Sequence, residues 1–140
     1  MRVGLILVGV ASLLASCSPS AAPQSAHVFA AEASLRECGT GQSTVATALE
    51  GNGDMHLAAQ TVRSVEGSCR EAANDIRRDP PPGPQWTETA SAADGMADGL
   101  EDVASALDMY DRSPNGARRL AQRGMQKYQA ALAKLDAANR

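Results

Sequence analysis

The side chains that could do covalent or metal chemistry are three cysteines and two histidines, at positions 17, 38, 69, 27 and 56. Active sites and metal sites place such residues at short, characteristic spacings. This sequence has neither the Cys-x-x-Cys-His motif of covalent haem nor the Glu-x-x-His motif of di-iron helical bundles. It also lacks a glycine-rich phosphate loop, and its histidines lie too far apart to share one site. The sequence therefore predicts a protein that is not an enzyme and that holds no cofactor or metal.

The N-terminal segment has the order of a secretory signal. The positively charged Met1-Arg2 start is followed by an almost wholly apolar run over residues 3–14. As a helix rising about 1.5 Å per residue, this run would span roughly 18 Å, well short of the ~30 Å hydrocarbon core of a membrane. We therefore interpret residues 1–16 as a signal peptide that is removed.

The segment Leu14-Ala15-Ser16-Cys17 resembles the lipobox of bacterial lipoproteins, in which a branched apolar residue and two small residues precede a cysteine. The resemblance implies that Cys17 is lipidated on its thiol and becomes the first residue of the mature chain. Two or three acyl chains give stable membrane anchoring, whereas a single chain does not. In this family an aspartate after the cysteine signals retention at the inner membrane. Ser18 in that position therefore implies the periplasmic face of an outer membrane, or the outer cell surface.

Residues 17–25 are rich in serine, proline and alanine, so they are expected to form a flexible tether. With Cys17 lipidated, Cys38 and Cys69 remain as an even pair in an exported chain, and a disulfide is their expected state. The helical pattern tests this pairing. Apolar residues recur at spacings of three and four along two stretches that Gly51-Asn52-Gly53-Asp54 separates, which predicts helix A up to about Glu50 and helix B from Met55.

The two predicted helices form a seam when they fold back on each other. Facing positions then keep a constant sum of residue numbers, and Cys38 falls opposite Cys69. A disulfide needs this matched height, with a Cα separation of about 5.5 Å. Gly39 and Gly41 each cost about 1 kcal/mol inside helix A, so a break at this point is also possible. The other facing pairs are Leu49 with Ala58, Val45 with Val62, Gln42 with Val65, Leu35 with Ala72, and Ala31 with Ile76.

Two more helices are predicted after Asp79–Pro84, a segment that cannot continue a helix because proline lacks the amide donor. Helix C begins near Trp86, and helix D follows the stop at Ser113–Gly116. The sequence thus predicts an all-α domain over residues 26–140, arranged as an antiparallel up-down-up-down four-helix bundle. A three-helix bundle is the alternative. Aromatic residues are only 3% of the chain, which fits packed helices better than a β-sandwich.

Charge is divided unevenly between helices C and D. Helix D is basic, with Asp136 as its one acid, so attraction between opposite charges predicts that C and D pair. In the alternative, Arg118, Arg119, Arg123 and Lys127 of helix D contact an anionic partner. The formal net charge of -3 argues against nucleic-acid binding. The acidic residues of helix C and its end are Glu88, Asp94, Asp98, Glu101, Asp102, Asp108 and Asp111.

A GxxxG motif, formed by Gly95 and Gly99, lies within helix C. Such a motif favours close approach of a second helix, either in the same chain or in a homodimer. The sequence as a whole favours a membrane-anchored envelope lipoprotein that acts as a non-enzymatic scaffold or interaction module for an unknown envelope protein. The alternative is a bundle that binds a small ligand, haem or metal, with Met55 and His56 as the residues closest to such a site.

Overall fold

The computed structural model of the protein describes residues 26–51 and 53–140, with side chains from Ala30 onward. The predicted signal peptide, lipobox and tether lie outside the described residues. Every secondary-structure element within these ranges is a helix, which confirms the prediction of an all-α protein. The five helices are α1 (Ala26–Cys38), α2 (Gly41–Glu50), α3 (Met55–Arg78), α4 (Gln85–Met109) and α5 (Pro114–Ala138).

The first predicted helix is two helices, because the chain turns at Gly39 and Thr40. The amide of Thr40 donates to the carbonyl of Glu37 at 3.0 Å, and the Thr40 hydroxyl donates to the same oxygen at 2.6 Å. These bonds close a tight turn at the end of α1 and start a new helix. The alternative of a break near the two glycines is therefore the one that the structure adopts.

This turn changes which face of α2 points inward. Val45 is buried and Ala48 packs against the core, whereas Gln42 is exposed and Leu49 is 50% exposed. The predicted seam is therefore wrong at Gln42 and Leu49, because it extrapolated the rhythm of α1 through a break that rotates the helix. On α1 and α3 the seam holds, and its residues such as Ala31 are buried.

Helix α3 starts where the sequence predicts. The carboxylate of Asp54 accepts hydrogen bonds from the amides of His56 and Leu57, both at 3.0 Å. An aspartate at this position satisfies amides that have no partner inside the helix. The helix then runs without a break to Arg78, before the prolines.

Helix α4 lies between α3 and α5 and packs against both. Most of its circumference is buried, and its small side chains allow both neighbours to come close. His56 near the start of α3 contacts Asp108 near the end of α4, and Arg77 near the end of α3 pairs with Asp94. These two helices therefore run in opposite directions.

The predicted four-helix bundle is not confirmed, because the described part of the chain contains five helices. Moreover, α5 packs chiefly against α4, whereas α1 and α2 pack against α3. Side-chain size explains why α5 packs against α4 more closely than against α1 and α2. Gly99 and Gly124 let α4 and α5 touch through their backbones, while the large Tyr128 lies between α5 and the α1–α2 turn.

The GxxxG motif serves this close contact within the chain. A Cβ atom added at Gly99 would lie 2.6 Å from both the carbonyl oxygen of Gly124 and the backbone nitrogen of Tyr128. A Cβ at Gly95 would lie 3.0 Å from the Cβ of Ala131. The glycine face of α4 is thus covered by α5 of the same chain.

The two ends of the domain differ. At one end, which we call the α1 end, Ala31 and Ile76 form a small apolar cluster with Trp86 packed against it. At the other end, which we call the turn end, lie the α2–α3 turn and the α4–α5 turn. Because Cys17 precedes α1 in the chain, any anchor on Cys17 is connected to the α1 end.

Candidate functional site

Three arginines of α3 bind most of the acidic side chains of α4. They recur every seven residues, which is close to two helical turns, and therefore line one side of α3. The resulting ion pairs are Arg63–Asp108, Arg70–Asp98 at 3.1 Å, Arg70–Glu101 at 3.0 Å and Arg77–Asp94. The prediction that the acids of α4 pair with α5 is wrong for these four carboxylates.

That prediction is correct for one pair, in which Lys127 of α5 donates to Asp102 of α4 at 2.6 Å. Asp102 lies on the side of α4 that faces α5, whereas the four other carboxylates are oriented to α3. Exposed ion pairs of this kind contribute about 0 to 1 kcal/mol each. They fix which helices are neighbours more than they stabilise the fold.

The basic residues singled out on α5 are therefore separated by the structure into three groups. Lys127 is neutralised by Asp102. Arg119 and Arg123 lie one turn apart on the same side of α5, and Arg118 points about 100° away from Arg119. Within residues 30–51 and 53–140, these three arginines form no ion pair, and all three are exposed.

A surface hollow of about 350 Å³ lies at the turn end, where α4 finishes and α5 begins. Arg119 and Arg123 line it together with Met109, Gly116 and Leu120. The hollow thus combines two cationic side chains with an apolar floor. We call it the arginine hollow.

The disulfide lies in the centre of the main core. Cys38 at the end of α1 and Cys69 in α3 are bonded, with a Cα separation of 4.8 Å, and both are fully buried. The predicted pairing of these two cysteines is confirmed. The Sγ atom of Cys38 also lies 3.9 Å from the Sδ atom of Met96 in α4, so α1, α3 and α4 meet at this bond.

Tyr128 of α5 completes this centre, and no sequence motif singles it out. Its side chain is fully buried, and its hydroxyl donates to the carbonyl oxygen of Cys38 at 2.8 Å. Burial raises the pKa of the phenol above its ordinary 10.0, against the opposite effect of hydrogen bonds from the amides of Gly41 and Gln42. One phenol thereby satisfies backbone groups on both sides of the α1–α2 break.

We expect Tyr128→Phe to lower the free energy of unfolding by about 1 to 2 kcal/mol, because it leaves the buried carbonyl of Cys38 without its donor. Chemical denaturation of the purified protein measures this change. Tyr110→Phe is the matched control, since the Tyr110 hydroxyl makes no hydrogen bond to the described residues and is only half-buried. Equal losses in the two variants would show that the Cys38 contact has no particular role.

A second hollow, of about 520 Å³, runs between α2 and α3 at the turn end. Hydroxyl side chains line it beside Ala48 and Ala58, and Leu57 on its wall is 60% exposed. Its one carboxylate belongs to Asp54, which caps α3. The groove therefore offers neutral hydroxyl groups and apolar contact. Its hydroxyl residues are Ser43, Thr44, Thr47 and Thr61.

The histidine proposed beside Met55 lies on the surface. The imidazole of His56 is 73% exposed and contacts Asp108 at 3.1 Å. Hydrogen bonds from Arg63, which has the larger effect, and from His56 hold the pKa of the Asp108 carboxyl below its ordinary 3.8. Over the described ranges, no group of three or more histidine, cysteine and acidic side chains is placed to hold a metal ion.

Comparison with family models, with curated proteins and with solved structures finds no match to this chain. Nor does any described helix have the length and apolar character needed to cross a membrane. The arginine hollow combines exposed positive charge with apolar contact.

Proposed function

We propose that this protein is a bacterial envelope lipoprotein, anchored by lipid on Cys17, whose helical domain is a non-enzymatic scaffold or interaction module. The observation that carries the proposal is the buried Cys38–Cys69 disulfide. Structural disulfides persist in oxidising compartments outside the cytosol, to which a signal peptide over residues 1–16 would deliver the chain. Sequence and core chemistry therefore favour the same side of the membrane.

In this proposal α1 and α2 act as one arm of an up-down-up-down four-helix arrangement with α3, α4 and α5. A helix the length of α5 extends about 37 Å at ~1.5 Å per residue. With the lipid connected to the α1 end, the turn end is the part of the domain that can extend furthest from the membrane. The domain would then hold its turn end towards other components of the envelope.

The anchor is tested by expressing the protein with Cys17→Ala beside the unchanged chain in a bacterium with a lipoprotein pathway. We expect the unchanged protein in the membrane fraction, with a diacyl mass on its N-terminal peptide. The variant should accumulate as an unprocessed precursor. Ser18→Ala is the matched control and should behave like the unchanged chain. A mature N-terminus without acyl mass would contradict the proposal.

A further inference from the structure

We propose that the arginine hollow binds an acidic segment of a partner protein, one in which carboxylates flank an apolar side chain. This inference rests on the proposed function, because it names the partner class of the proposed interaction module. It is carried by Arg119 and Arg123, by the apolar residues between them and α4, and by the position of the hollow at the turn end.

Charge is the first argument. Four carboxylates of α4 are bound by Arg63, Arg70 and Arg77 of α3, and a fifth, that of Asp102, is bound by Lys127. Among the side chains of residues 30–51 and 53–140, neither Arg119 nor Arg123 has an ion-pair partner, although the chain has a formal net charge of -3. Strong local positive charge of this kind attracts anions.

Geometry is the second argument. Residues one turn apart on a helix have Cβ atoms about 5 to 6 Å apart, so Arg119 and Arg123 can each bind one carboxylate of the same segment. A planar guanidinium donates two parallel hydrogen bonds to a carboxylate. Neither arginine has to give up an ion pair to any side chain that the structure describes.

The apolar floor separates a protein segment from other anions. Met109 and Leu120 are half-buried and line the same hollow, and Gly116 contributes no side chain. An apolar side chain of the partner can enter this space, and methionine adapts its shape to such a side chain. A flat array of lipid headgroups would leave the hollow unfilled. The chemistry of the site therefore matches alternating acidic and apolar residues.

Position is the third argument. Met109 ends α4 and Gly116 lies in the first turn of α5, so the hollow belongs to the turn end, and the anchored residue is connected to the α1 end. In the proposed arrangement the lipid is thus connected to the opposite end of the domain. A protein partner can reach the hollow from the side that faces away from that membrane.

The test is a binding titration of the purified full chain with a fluorescent peptide of alternating glutamate and leucine. Binding is measured by the fluorescence anisotropy of the peptide. We expect saturable binding that weakens with added salt, and no binding of the matching lysine–leucine peptide. Arg119→Gln with Arg123→Gln should weaken binding about tenfold or more, since both charged contacts are lost. Arg118→Gln with Arg140→Gln removes the same charge elsewhere and should change binding less than about twofold.

Three results would overturn the inference: no binding of the glutamate–leucine peptide, equal weakening in both double variants, or displacement of the peptide by phosphatidylglycerol vesicles but not by phosphatidylcholine vesicles. The last would assign the hollow to lipid headgroups. Circular dichroism of both variants checks that they remain folded.

Because the titration uses purified protein, it is independent of the anchor. A chain that binds the peptide but carries no lipid overturns the proposed function alone, and an anchored chain that does not bind overturns this inference alone.

Discussion

Replacing Cys38 and Cys69 together by alanine is expected to lower the free energy of unfolding by about 3 to 4 kcal/mol. The bond joins positions 31 residues apart. A cross-link over a loop of this length lowers the conformational entropy of the unfolded chain, which raises the free energy of unfolding by about that amount. Both cysteines are fully buried, and the Cys38 sulfur lies against Met96, so their loss also removes packing from the centre of the core. The effect is large compared with the total stability of about 5 to 15 kcal/mol that is usual for a domain.

Chemical denaturation of the oxidised protein and of the double variant measures this difference. The unchanged protein, unfolded and refolded in a reductant, is the control, and it should approach the variant in stability. Mass spectrometry of exported protein should show two hydrogens fewer than the dithiol. Free thiols at both positions, or identical unfolding midpoints for the two proteins, would contradict the role of the bond.

Gly99→Ala is expected to destabilise the protein by about 3 kcal/mol, which is near the upper end for overpacking a core. The added methyl group would meet two backbone atoms, the carbonyl oxygen of Gly124 and the nitrogen of Tyr128, both at 2.6 Å. Backbone cannot rotate away as a side chain can, so α5 would have to move off α4. That movement would also disturb the hydrogen bond from Tyr128 to Cys38.

Gly67→Ala is the matched control, because Gly67 lies inside α3 with open space around its Cα. Alanine is favoured over glycine in a helix interior by about 0.5 to 1 kcal/mol, so this variant should be slightly more stable than the unchanged protein. The same substitution thus has opposite signs at the two positions. Thermal unfolding of both variants gives the comparison, and a Gly99→Ala variant as stable as Gly67→Ala would show that α4 and α5 are not in close contact.

The starts of α3 and α5 and the end of α3 are predictable from local signals, because the Asp54 carboxylate caps a helix and the prolines within 80–84 and at 114 stop or start one. The break between α1 and α2 is different. The free-energy cost of a glycine inside a helix is small, so the local sequence is compatible with both a continuous and a broken helix. The structure settles the question through Tyr128, whose ring lies 2.7 Å from where a Cβ of Gly41 would be. That contact joins two residues that are 87 positions apart, and no local pattern contains it.

The site was only partly predictable for a related reason. An excess of acid on α4 is visible in the sequence, but α4 has two neighbours, and both carry basic residues. The information that distinguishes them is the spacing. The arginines of α3 and three acids of α4, namely Asp94, Glu101 and Asp108, both recur every seven residues, which matches them along helices of opposite direction. Only this comparison of spacings indicates that the acids of α4 pair with α3 and not with Arg119 and Arg123 of α5.

The disulfide has one more consequence, which concerns damage. The exposed turn at Gly51, Gly53 and Asp54 lies between the two bonded cysteines. A peptidase that cuts the backbone once in this turn would leave both fragments covalently joined in a single molecule. Only reduction of a bond that is buried in the core could then let them separate. Under the proposed location in the cell envelope, a single cut in this exposed turn would therefore not release half of the domain.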